Sequence, residues 1–72
     1  METRRFEGPV TVLSTDGSHS ETFHRGERVR NVRRIGKRVM FEPVNPHRVA
    51  GTYAMDWSEF DANTTAIREA TA

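Results

Sequence analysis

Apolar residues in this chain alternate with polar ones in short bursts, the period of strands with one buried face. Tyr53, Met55 and Trp57 alternate with Ala54 and Asp56 and form the clearest such burst. Val10-Thr11-Val12-Leu13 is a β-branched run preceded by Gly8-Pro9, and Asp16-Gly17 after it supplies residues tolerant of the positive φ of a tight hairpin turn. Ser20 to His24 is the returning strand, with Thr22 and Phe23 its best strand formers. Beyond the Arg25-Gly26 turn, Val29 to Ile35 reads as a strand with a conflict of faces, because Val29 and Ile35 share a parity that Val32 breaks. A β-bulge, or a strand covered on both faces, reconciles the three. Gly36-Lys37 turns the chain into Arg38-Val39-Met40-Phe41, where Val39 and Phe41 point inward and Met40 outward.

Pro43, Asn45 and Pro46 open a loop that runs to Gly51. After the Tyr53 strand, Ser58 is placed to cap a short helix, with Asp61 three residues on as a weak capping box and Phe60 returning to the core. Residues 1–7 read as a flexible polar N-terminus, 8–62 as a single β-rich domain, and 63–72 as a helix extension or frayed tail anchored by Ile67. Short strands at intervals of about ten residues predict a mainly β fold: a small, strongly bent antiparallel sheet with a short C-terminal helix. The run Phe23-x-x-Gly26-x-x-Val29, then Gly36-x-x-Val39-x-Phe41, resembles the strand-turn rhythm of SH3-like barrels. A three- or four-stranded sheet carrying a C-terminal helix is the alternative.

Composition narrows the function. With 72 residues and no Cys, the chain has neither disulfides nor Cys-based zinc to supplement a small core. No apolar run is long enough to span a bilayer, and Met1 to Glu7 lacks the apolar stretch of a signal peptide, so a cytoplasmic protein without membrane contact is expected. The net charge of +1 conceals a dipole: Arg25, Arg28, Arg30, Arg33, Arg34, Lys37 and Arg38 are opposed locally by Glu27 alone, while both ends are acidic.

Catalytic and metal chemistry find little footing. His19 and His24 have opposite strand parity and His47 lies in a loop, so no metal site or cofactor is expected. Asp56, Glu59 and Asp61 suit the start of a helix, whose free N–H groups and dipole favour carboxylates, better than acid–base catalysis. There is no Cys nucleophile, Gly-x-Ser-x-Gly elbow or phosphate-cradling Gly loop, and an enzyme is not expected.

The basic stretch is the candidate binding surface. Simple alternation gives Arg28, Arg30, Arg34 and Arg38 one face and Arg33 and Lys37 the other. Phosphates are one possible target, with steep salt dependence. No aromatic ring falls among these arginines in sequence, which weakens the case for base stacking. Arginine, ten residues against one lysine, equally suits bidentate contacts to carboxylates, so an acidic protein surface stands ahead of nucleic acid.

In format the chain resembles the small single-domain regulators that bacteriophages make to redirect host RNA polymerase: one domain without staples around a basic centre, Arg25-Gly26-Glu27-Arg28-Val29-Arg30. That resemblance implies a polymerase subunit as partner and transcription regulation by occupying a protein surface. The residues it would use are Arg28, Arg30, Arg33, Arg34 and Arg38, with Phe6 and Val10 as apolar anchors near a mobile N-terminus.

Overall fold

Alternating burial along each strand sets the two faces of one sheet. The computed structural model describes residues 2–67. Their elements are β1 (Glu2–Phe6), β2 (Val10–Ser14), β3 (Ser20–Phe23), β4 (Arg28–Ile35), β5 (Arg38–Pro43), β6 (Tyr53–Asp56), helix α1 (Trp57–Asn63) and β7 (Thr64–Ile67). The strands form a single sheet in the order β3-β2-β6-β5-β4-β1-β7. Every pairing is antiparallel. The sheet curls into a half-barrel with one short helix, the mainly β, barrel-like architecture expected from the alternation.

Inside the curl, Phe6, Phe23, Phe41, Tyr53 and Phe60 are fully buried with Val12, Val29 and Val39. Their rings interlock: Phe6 stacks on Phe23 with centroids 5.2 Å apart, Phe41 on Phe60 at 5.1 Å, and Phe23 meets Tyr53 edge-on at 5.5 Å. Five large rings closing one concave surface explain how so short a chain fills its interior without covalent staples.

The conflict of faces in β4 is resolved by a bulge. The register against β5 shifts between Arg30 and Arg33, and Asn31 sits there at φ 58°. Asparagine tolerates this left-handed conformation better than most side chains, and Asn31 Nδ2 donates to Glu42 Oε2 at 2.7 Å. The bulge lets Val29 and Val32 both face the core, while Ile35 is 61% exposed. Asn31→Val is expected to lower stability by about 1–2 kcal/mol, because a β-branched residue is strained at positive φ and the bond to Glu42 is lost. Asn31→Gly, which fits the backbone, should lose less. Urea denaturation of the two variants checks the order.

Three expectations need correction. Residues 2–6 are not a flexible N-terminus but strand β1, held between β4 and β7. Its alternation is disguised because Arg4 takes an inward position: its side chain is 11% exposed, its guanidinium lies 5.0 Å from the Trp57 ring, and Asp61 and Glu2 pair with it. The helix does not run on from residue 63, since Thr64–Ile67 leaves it as β7 and pairs with β1. The rest of that expected tail, 68–72, lies outside the described residues. Ser58 is not the helix cap either. Asp56 holds that position, and the Ser58 hydroxyl donates back to the Asp56 carboxylate.

The 44–52 loop is clamped to the rim of β3 by Arg48, which donates from Nε to Glu27 Oε2 at 3.0 Å and from Nη2 to Glu27 Oε1, and covers the Phe23 ring at 5.3 Å. Tyr53 anchors the same loop by donating its hydroxyl to the Val49 carbonyl at 2.8 Å. The Arg48 contacts hold the Glu27 carboxyl below its ordinary pKa, and serine hydroxyls do the same for Asp16 and Asp56. A carboxyl more acidic in the folded than in the unfolded chain adds stability above the unfolded pKa, and that stability is lost as pH falls through the folded value. The melting temperature should therefore decline as pH is lowered below about 5. Glu27→Gln should cost about 1.5–3 kcal/mol at pH 7 and flatten this decline, read from thermal melts across pH 2–7.

Candidate binding face and groove

The register of the sheet decides which arginines act together. Cross-strand pairs on the outer, convex face are Arg28 with Arg5, Arg30 with Glu42, Arg33 with Met40, and both Ile35 and Asp56 with Arg38. The bulge at Asn31 thus moves Arg33 onto the face that carries Arg28, Arg30 and Arg38. It sends Arg34 to the opposite side, opposite core-facing Val39. Simple alternation had grouped these residues the other way, and the extra residue of the bulge is the reason.

All four outer arginines are exposed. Arg30 approaches Glu42 only loosely, at 3.9 Å. Among the described residues Arg28, Arg33 and Arg38 form no ion pair within 4.0 Å. From Arg33 an apolar row that the sequence reading had not assigned to a site runs outward across the same face. Leu13 pairs with Ala54, Ala54 with Met40, and Met40 with Arg33, across four neighbouring strands. Leu13 is 54% exposed, and Ile35 lies beside Arg38 at the end of the row. The signal was present in the sequence as apolar residues of outward parity, Leu13 and Met40, on strands whose other parity fills the core.

Phe6 and Val10, expected as apolar anchors for a partner, belong to the core instead: Phe6 is 0% and Val10 9% exposed. The short chain has few large apolar residues, and packing its interior takes both of them.

Arg34 joins a second feature. Where the β4–β5 turn meets the start of α1, Arg34, Lys37, Asp56, Trp57 and Ser58 line a half-open groove of about 280 Å³. The Lys37 carbonyl accepts the Trp57 backbone N–H at 2.8 Å, which ties the turn to the helix. The Arg34 guanidinium lies 4.9 Å from the centre of the Trp57 indole, while its Nε donates to the Gly36 carbonyl at 2.9 Å. Neither Arg34 nor Lys37 forms an ion pair among the described residues. The Ser58 hydroxyl keeps the Asp56 carboxyl below its ordinary pKa, so the groove holds two cations and one firmly ionised carboxylate. An aromatic ring does stand among the basic residues, brought there by folding from 23 positions away in sequence.

The histidines do not converge. His19 Nε2 is 2.9 Å from the Tyr53 hydroxyl and its Nδ1 is 3.0 Å from Ser18 Oγ, while His24 and His47 are exposed in turns. Among the described residues no helix is long and apolar enough to cross a membrane. Compared with known protein families, with curated proteins and with solved structures, the chain matches none.

Proposed function

We propose that this chain is a non-enzymatic binding protein that docks the outer face of its sheet onto an acidic protein surface and thereby regulates transcription, its partner being a subunit of a bacterial RNA polymerase. The observation that carries the binding part is the outward row Leu13, Ala54, Met40 with Ile35 beside it, in which Leu13 and Ile35 are exposed and Ala54 and Met40 partly so, on the same face as Arg28, Arg30, Arg33 and Arg38. Apolar area mixed with arginine and methionine is the composition of protein interfaces, where the apolar part supplies affinity and the charges supply orientation and encounter rate. A surface devoted to a phosphate backbone has no use for the apolar row. The polymerase, and with it a place in the host cytoplasm, rests on the resemblance in format to phage regulators of that enzyme.

The second reading is a nucleic-acid-binding barrel that contacts phosphates with the same arginines. Trp57 beside Arg34 and Lys37 favours it, because an indole next to cations can stack a base. One experiment separates the two: binding of the tagged chain to purified, nuclease-treated bacterial RNA polymerase, run beside mixed-sequence DNA and RNA over a salt series. Saturable binding to the polymerase supports the protein reading. Binding to nucleic acid alone, falling steeply with salt, supports the second.

A further inference from the structure

The groove at the end of the β4–β5 hairpin offers more than a charged rim. Trp57 is the chain's one tryptophan and is half-buried, so its indole forms a fixed wall and not a mobile surface side chain. Arg4, itself mostly buried, lies 5.0 Å from that ring and holds it from the core side of the sheet. Arg34 and Lys37 stand at the mouth, exposed and without carboxylate partners among the described residues. Asp56 lines the groove and also pairs in register with Arg38 of the outer face, so groove and face are continuous.

Charge selects the occupant. Two cations less the ionised Asp56 leave one net positive charge, which matches a single carboxylate beside an apolar group. A chain of phosphodiesters would bring successive negative charges against Asp56. The volume lies at the lower end of small-ligand sites and suits one inserted side chain. From this geometry we propose that the groove is an anchor pocket for an acidic peptide segment: it takes one aromatic side chain against Trp57 while the carboxylate next to it in the peptide meets Arg34 and Lys37. This rests on the protein-partner reading and names the kind of segment the partner must present. Interfaces draw most of their affinity from a few such anchors, with aromatic and arginine residues foremost.

Because there is a single tryptophan, its emission reports occupancy directly. The whole chain is titrated with acetyl-Gly-Phe-Asp-Gly-amide, which carries a single carboxylate, at constant ionic strength. It is titrated in parallel with the same peptide carrying Ala for Phe, and with a ten-residue oligothymidylate. A saturable change in Trp57 emission is expected with the first peptide, with affinity weaker by at least about tenfold for the Ala peptide and for the Arg34→Ala/Lys37→Ala double variant. Both substituted side chains are exposed, and far-UV circular dichroism of the variant verifies its fold. No saturable response, an unchanged response in the double variant, equal binding of the Ala peptide, or a stronger response to oligothymidylate would each overturn the proposal. Polymerase binding is measured separately. A peptide response without polymerase binding leaves the groove standing and removes the polymerase; polymerase binding without a peptide response does the reverse.

Discussion

Phe6→Ala is expected to leave the chain largely unfolded at 25 °C. Phe6 is fully buried, and its ring meets Phe23 at 5.2 Å, Phe60 at 5.9 Å and Phe41 at 6.0 Å, so it touches most of the aromatic cluster at once. Its backbone also closes the sheet: Phe6 N donates to the Glu27 carbonyl and the Gly26 N–H donates to the Phe6 carbonyl, both at 2.8 Å. Removing a buried phenyl ring costs about 3–5 kcal/mol. A core of this size supplies roughly 3–5 kcal/mol in all. The variant should lose its cooperative urea transition and most of its β signal in far-UV circular dichroism. A surface anchor would behave differently, since exposed substitutions usually change stability by no more than about 0.5 kcal/mol. A wild-type urea midpoint would put Phe6 outside the core.

The second large effect concerns the outer face. If the proposed polymerase partner is correct, Arg28→Glu combined with Arg33→Glu is expected to weaken that binding by at least about a hundredfold, roughly 2.7 kcal/mol, while the melting temperature stays within a few degrees. These two positions are chosen for their cross-strand neighbours. Arg28 faces Arg5 and Arg33 faces Met40, so reversing them sets no like charges opposite one another. Reversal at Arg30 or Arg38 would confront Glu42 or Asp56 and mix folding with binding. Titration against immobilised polymerase gives the affinity, and a thermal melt gives the fold. An unchanged affinity in a folded variant would rule this face out as the binding surface.

Where the residues kept to a period of two, the sequence was readable. The Tyr53-Met55 part of the alternation is β6, although Trp57, read with it, begins α1; the Val39-Phe41 pair faces the core, and the broken parity of Val29, Val32 and Ile35 marks a bulge at Asn31. Reading failed where a side chain acts against its type. Arg4 occupies an inward position by laying its stem under the rings and pairing its charge with Glu2 and Asp61, so β1 does not look like a strand. Thr64 and Thr65, indifferent helix formers, lie in the segment expected to extend the helix or fray, but their β-branched shape serves a strand whose partner, β1, was itself hidden. The site followed the same logic. Its arginines were evident, but their grouping depended on one bulge residue. The groove depended on Lys37 and Trp57 meeting through a backbone bond that no local pattern announces.

The place of β1 between β4 and β7 also dictates when the protein can exist. During synthesis β1 leaves the ribosome first, yet both strands that flank it are made later, with 60 residues separating Arg4 from Thr64. At translation rates of about 5–20 residues per second the first strand waits roughly 3–12 s for its last neighbour. Over that interval Phe6 has no finished interior to enter. The sheet cannot be completed hairpin by hairpin as the chain emerges, and folding is deferred until its final strand is available. Any ribosome that stalls after α1 therefore holds a nascent chain in which one edge of β1 is unpaired, a substrate for chaperones and proteases.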